Sequence, residues 1–246
     1  MTTDTPAAVL WDMDGTLVDT EPYWMRAETE LIESFGGVWT HEDALGVVGL
    51  GLWESASIFQ AAGADLDADA IVDYLTNSVQ QQLETEGVPW RPGARELLAA
   101  LRENGVKTAL VTMSVKRMAE QVASLIGFPA FDVVVTGDTV ENPKPFPDAY
   151  LTAAEQLGVA ASDCLAIEDS VPGLASARAA GCTTVGVPHM VPLAASAADV
   201  LWPTLEGRTI ADLFAVHERS VDEHLLDGSA HPGVHRDAAP AEGIAR

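Results

Sequence analysis

Two aspartates one residue apart, Asp12 and Asp14, close the apolar run Ala7, Ala8, Val9, Leu10, Trp11 and are followed at once by Gly15 and Thr16. Residues two apart on an extended chain point the same way, so both carboxylates face one site if strand geometry persists to that point. Like charges held close need a cation or a raised pKa. Gly15 permits a sharp turn and close approach of a ligand to the backbone. Complementary groups recur downstream. "ALVT" ends in Thr112, a hydroxyl suited to a phosphate oxygen. "ENPKPFPDAY" sets Lys144 between two prolines, which restrict the local backbone and favour a fixed ammonium. "LAIEDS" ends in Glu168 and Asp169, a second acidic pair. Hard oxygen donors of this kind suit Mg²⁺, which would offset carboxylate repulsion and bind a phosphoryl oxygen.

The elements that must position these groups follow from periodicity. Residues 7–12 form a non-alternating apolar run, the pattern of a buried parallel strand. Residues 21–87 carry apolar residues at three- and four-residue spacings and read mostly as helix, without a convincing strand. From Pro89 the pattern alternates. The segments "VKTALVT", "FDVVVTG", "DCLAIED", "TTVGVP" and "ADVLW" read as strands, with helices between them and "TIADLFAVH" at the end. Such alternation predicts an α/β fold with a parallel sheet covered on both faces. The helical stretch 21–87 interrupts it and reads as an inserted domain, so residues 1–20 and 88–217 form the expected core. Residues 218–246 lose periodicity and read as a disordered tail.

Composition sets limits. The chain of 246 residues has 13 basic and 37 acidic residues, a formal charge of −24. So acidic a surface repels nucleic acid and anionic lipid. The longest apolar runs fall short of a membrane span, and no secretory leader is expected. Cys164 and Cys182 sit in strand-like apolar segments, as buried reduced thiols of a cytoplasmic protein do. "DMDG" does not open a calcium loop, because its glycine is fourth and not sixth. "GLG" at 49–51 lacks the last glycine of a dinucleotide fingerprint. Trp39 and Trp53 read as core of the inserted helices, with Trp24 the candidate exception. Lys116 and Arg117 read as solvated surface charge.

"DMDGT", "VT", "NPKPFPDAY" and "IEDSVPG" occur in that order. With them the chain resembles the haloacid dehalogenase superfamily of phosphohydrolases, in the branch with a helical cap inserted after the first strand, β-phosphoglucomutases and small sugar-phosphate phosphatases among them. The resemblance spans residues 7–217 and implies a Rossmann-like core. It implies Asp12 as nucleophile, forming an aspartyl-phosphate, and Asp14 as the acid and then the base. Thr112 and Lys144 would bind the transferring phosphoryl group. Asp12, the backbone carbonyl of Asp14, and Asp169 would hold Mg²⁺, with Glu168 bonding directly or through water. Trp24 and Ser114 are candidate substrate contacts. The implied partner is a small phosphate ester, with neither nucleic acid nor membrane, and the protein is expected to be a monomer or weak dimer.

Departures from the mutase pattern favour a phosphatase over a β-phosphoglucomutase-type mutase. Trp24 replaces a cap histidine, and "VGLGLWES" lacks the cap arginine that grips a second phosphate. A non-catalytic phosphate- or magnesium-binding protein is the rival of another class; Asp12 and Asp14 are both retained, which speaks against it. Residues 21–87 hold thirteen acidic residues and one basic residue, Arg26. Most of these acids are expected on outer helix faces. The scarcity of bases predicts a leaving group that carries no second anion.

Overall fold

The structure, a computed structural model, describes residues 5–226. Its centre is a six-stranded sheet of β1 (Ala8–Trp11), β2 (Lys107–Val111), β3 (Val133–Val135), β4 (Cys164–Glu168), β5 (Thr183–Gly186) and β6 (Val200–Leu201). All strands are parallel, in the order β3-β2-β1-β4-β5-β6. From β1 the chain builds outward through β2 and β3, then returns to β4 on the other side. The connections therefore diverge between β1 and β4, and they open a crevice beyond the carboxyl ends of those strands.

Alternation along β1 sorts side chains between the two faces. Val9 and Trp11 pack with Leu98 of α5 (Ala94–Glu103), Met118 of α6 (Lys116–Leu125) and Leu213 of α9 (Ile210–Leu226). Ala8 and Leu10 pack with Tyr150 and Ala153 of α7 (Asp148–Leu157) and Ala177 of α8 (Val171–Ala179). β1 is buried throughout, as its uninterrupted apolar run requires.

Between β1 and α5 stand four helices: α1 (Glu21–Ser34), α2 (His41–Leu45), α3 (Leu52–Ala61) and α4 (Ala68–Glu86). α4 packs on both α1 and α3. Leu31 and Ile32 of α1 meet Ile71, Leu75 and Val79 of α4 in one apolar cluster. Asp67 caps α4 by accepting from Ala70 N at 2.8 Å. The two strands of chain joining this insertion to the core are tied together: Asp19 N donates to Pro89 O at 2.7 Å and Arg91 N to Leu17 O at 3.0 Å.

Two expectations change. α9 runs to Leu226, nine residues past the limit of 217, so residues 218–226 are helical. Its continuation is anchored where Ser220 Oγ donates to Asp199 Oδ1 at 3.3 Å. The rest of the expected tail lies outside the described residues. Trp53 is 38% exposed and donates to Asp69 at 2.7 Å, so it is surface and not core. Trp39 is buried, its ring 5.0 Å from that of Phe59. No described helix is long and apolar enough to cross a membrane.

Candidate active site

The crevice collects the chemistry. Asp12 follows β1, Glu168 ends β4, Asp169 follows it, and Lys144 arrives on the loop between β3 and α7. Lys144 is 2% exposed, and its Nζ donates to Asp12 Oδ1 at 2.7 Å, Glu168 Oε1 at 2.6 Å and Val111 O at 3.0 Å. All three ammonium protons thus have acceptors. Burial alone would lower the Lys144 pKa, but Asp12 and Glu168 beside it hold it above its usual value, so it stays charged.

Glu168 is fully enclosed. Its Oε1 also accepts from the Tyr150 hydroxyl at 2.7 Å, and its Oε2 accepts from Ser170 Oγ at 3.1 Å and Ser170 N at 3.4 Å. Burial, then the Glu168 charge, keeps the Tyr150 hydroxyl protonated well above its normal range. Both Glu168 oxygens are therefore committed to protein donors, and the carboxylate fixes Lys144 in place. Gly173 is needed here: a Cβ there would collide with the Glu168 carboxylate.

Asp14 stands apart from that cluster. Its Oδ1 accepts from Thr20 Oγ1 and from Trp24 Nε1, the latter at 3.1 Å. Its Oδ2 accepts from Ser114 Oγ at 2.8 Å and Thr112 Oγ1 at 3.3 Å. Thr112 is thus turned toward Asp14, and its oxygen accepts from Ser114 N at 3.0 Å. Four donors, two from the start of α1 and two from the loop after β2, fix the carboxyl group at the pocket wall, where it can exchange a proton with a bound group.

Three carboxylates, those of Asp12, Glu168 and Asp169, offer oxygens within 4.8 Å of one another. Lys144 is the single cation bonded among them. Burial, and then the neighbouring Glu168, pushes Asp12 up to about 7; burial, then Asp12, drives Asp169 well above its ordinary value. Asp12 Oδ2 and Asp169 Oδ2 are buried without a hydrogen-bond partner. Two orphaned carboxylate oxygens in a cluster short of positive charge fit a divalent cation with oxygen ligands. Gly15, at φ +85°, passes directly over Asp169, whose carboxylate a Cβ would strike. The backbone at that turn approaches closely because no side chain intervenes.

The insertion forms the opposite wall. The pocket is lined by Asp12, Asp14, Thr112, Ser114, Lys144 and Asp169 from the core, and by Trp24 from α1. Two of the charged lining residues were not expected there. Glu21 and Glu28, each 7% exposed, point inward and not to solvent. Burial, then the Asp14 charge, raises Glu21 to about 8; burial raises Glu28 to about 7 against the opposing effect of its Trp39 bond. Their spacing from Trp24, three residues before and four after, marks one helix face and was the available signal. Basic residues avoid the pocket. Arg117 reaches across to α4 at Asp73, Asn77 and Gln80, and Arg91 bonds His189 at 2.7 Å. Arg26 pairs with Glu86 at the surface. Among described lysines and arginines, Lys144 alone lines the pocket.

Residues 6–181 match the haloacid dehalogenase-like hydrolase family. Hexitol phosphatase A of Escherichia coli (strain K12) is 34% identical over 178 residues, covering 72% of this chain and 81% of that protein. The phosphorylated carbohydrates phosphatase of Thermotoga maritima is 33% identical over 184 residues, covering 74% of this chain and 85% of that one. Among solved structures, CbbY from Rhodobacter sphaeroides in complex with phosphate superimposes with a TM-score of 0.78 at 29% identity, over 85% of this chain and 99% of that one. A β-phosphoglucomutase from Clostridium difficile, 21% identical, shares the fold with a TM-score of 0.77 over 89% of this chain and 100% of that one.

Proposed function

The chain belongs to the haloacid dehalogenase-like hydrolases, and on that premise we propose that it is a Mg²⁺-dependent phosphatase acting on a sugar or polyol monophosphate. The observation that carries this reading is the convergence of Asp12 and Asp14 on a pocket whose one lysine or arginine is Lys144, bonded to Asp12. That cation serves one phosphoryl group. Among the described residues no second lysine or arginine lines the walls to hold another anion, which a desolvated bisphosphate or phosphocarboxylate would require. The kinship to hexitol and carbohydrate phosphatases supports the same substrate class.

In this mechanism the Asp12 carboxylate attacks phosphorus while the ester P–O bond breaks. Asp14 gives its proton to the departing oxygen, and the product is an alcohol and an aspartyl-phosphate. Asp14 then takes a proton from a water that attacks phosphorus, releasing phosphate and restoring Asp12. Lys144 stabilises charge on the phosphoryl oxygens, held there by Glu168 and Tyr150. Asp12 Oδ2 and Asp169 Oδ2, with the Asp14 carbonyl, are the ligands we assign to Mg²⁺, and Glu168 acts behind them by positioning Lys144. When bound, Mg²⁺ supplies Lewis-acid stabilisation of the phosphoryl charge and lowers the cost of ionising Asp12. Residues 21–87 act as a cap that covers the leaving group and excludes water from the attack. The buried free thiols Cys164 and Cys182 support a cytoplasmic setting.

The test is phosphate release from a panel of monophosphate esters with Mg²⁺. Asp12→Asn should lower turnover by at least about 10³-fold and abolish acid-stable labelling of the protein by substrate phosphate. An unchanged rate in that variant refutes the covalent mechanism. Isomerisation of a sugar phosphate without phosphate release would replace this reading with the mutase.

A further inference from the structure

Arg117, at the start of core helix α6, crosses to the insertion. Its Nη1 donates to Asn77 Oδ1 and Gln80 Oε1, each at 2.6 Å, and its Nη2 to Asp73 Oδ1 at 2.8 Å. Asp73, Asn77 and Gln80 recur at four- and three-residue spacing, so they share one face of α4. The contact is returned: Gln80 Nε2 donates to Arg117 O, and Gln121 Nε2 of α6 donates to Gln80 O, both at 3.3 Å. A lone exposed ion pair holds little, but a forked guanidinium within a network of hydrogen bonds fixes one helix on the other. α4 in turn grips α1 beside Trp24. Gln82 Nε2 donates to Tyr23 O at 3.1 Å, and the Tyr23 hydroxyl donates to Gly87 O, at the end of α4, at 3.2 Å. Trp24 is the next residue, and its Nε1 donates to Asp14 Oδ1 at 3.1 Å. A continuous series of contacts therefore runs from Arg117 through α4 and the start of α1 to Asp14.

Resting on the phosphatase reading above, we propose that Arg117 is a positioning residue for the acid. By clamping α4 to α6 it keeps Trp24 against Asp14, and so aims the Asp14 proton at the leaving oxygen without touching either. The loop that carries Thr112 and Ser114 has anchors of its own, since Lys116 N donates to Asp138 Oδ1 at 3.1 Å and Gly137 N to Ser114 O at 3.0 Å. Arg117 therefore acts on Asp14 through the insertion and not through that loop. Without Arg117 the other donors to Asp14 remain, from Thr20, Thr112 and Ser114. General acid catalysis is worth about 10²- to 10⁴-fold, and an acid that keeps most of its donors forfeits only part of it, about three- to tenfold. The loss depends on the leaving group. An alkoxide needs the proton, whereas p-nitrophenolate departs as a stable anion and does not. The ratio kcat/KM reports the steps through the first irreversible one, here formation of the aspartyl-phosphate with loss of the alcohol. The later work of Asp14 on water does not enter it.

The experiment compares wild type, Arg117→Ala, Trp24→Phe and the double variant, with Mg²⁺, on p-nitrophenyl phosphate and on the polyol phosphate hydrolysed fastest. Beside it, the indole N–H resonance of Trp24 is followed in isotope-labelled protein, assigned by its disappearance in Trp24→Phe. Arg117→Ala should lower kcat/KM about three- to tenfold on the polyol phosphate and less than about twofold on p-nitrophenyl phosphate. It should add little to Trp24→Phe, because the two act through one contact. The Trp24 resonance should shift, and its proton should exchange at least about tenfold faster. Asn77→Ala combined with Gln80→Ala, on the insertion side of the clamp, should reproduce both the split and the shift. Equal losses on both esters, no loss on either, losses that add to those of Trp24→Phe, or an unmoved Trp24 resonance would overturn the proposal. A shifted resonance with no phosphate release from any ester by the wild type would uphold the positioning and refute the phosphatase reading.

Discussion

Replacing Glu28 by Gln should stabilise the protein at pH 8 while changing it far less at pH 5. Burial lifts the folded Glu28 carboxyl from 4.5 to about 7, and the Trp39 bond offsets only part of that lift. The sign follows from which state ionises first. Below pH 4.5 both states keep the proton. Between 4.5 and about 7 the unfolded chain ionises and the folded one does not, so stability falls as pH rises. Above that window the loss is complete and constant. A tenfold change in an ionisation constant is worth about 1.4 kcal/mol, which caps the loss near 3 kcal/mol, and roughly 2 to 3 kcal/mol of it develops between pH 5 and 8. Gln is isosteric with the protonated acid and still accepts from Trp39 Nε1, so it escapes the loss. For a chain of this size the variant's advantage in Tm should widen by roughly 5 to 10 °C between the two pH values. Paired thermal unfolding of wild type and variant at matched ionic strength measures it. An advantage equal at both pH values, within about 0.5 kcal/mol, would refute the claim that burial of Glu28 outweighs its Trp39 bond.

Lys144→Met removes the ammonium from between Asp12 and Glu168. It should cost about 3 to 5 kcal/mol in denaturant unfolding and abolish phosphate release; a stable, active variant would contradict the assigned role. Trp24→Phe deletes one of the four bonds to Asp14 and should lower kcat several-fold, by about 1 kcal/mol in transition-state terms. The loss should fall on kcat with KM nearly unchanged, a split that mere repacking of the pocket wall would not produce. Mg²⁺ at about 100 times its Kd should stabilise the wild type by about 2.7 kcal/mol, reversibly with chelator. Asp169→Asn should erase that Tm shift, and a full shift in the variant would move the metal elsewhere.

The alternating pattern after Pro89 is visible in the sequence because a buried parallel strand and an amphipathic helix each impose a period on a short local stretch. Motif chemistry is equally local. Asp12 and Asp14 share one turn, Glu168 and Asp169 end one strand, and Lys144 is fixed among its own prolines. Their convergence was predictable from topology, since parallel strands deliver their carboxyl ends to one edge. Partner choice was not. Thr112 turns to Asp14, Glu168 commits both oxygens to Lys144, Tyr150 and Ser170, and Arg117 spans to α4. Past residue 217, α9 is tied to the core where Ser220 bonds Asp199, a contact across 21 residues that no local period encodes. The inward turn of Glu21 and Glu28 was likewise hidden. An acidic residue on an amphipathic helix reads as solvated until another layer of the fold covers it. Only the packing of α1 over the crevice, with Trp39 and Phe59 side by side behind it, determines that these carboxyls line the pocket. Sequence periodicity fixes which residues share a helix face; burial depends on what the rest of the chain places against that face.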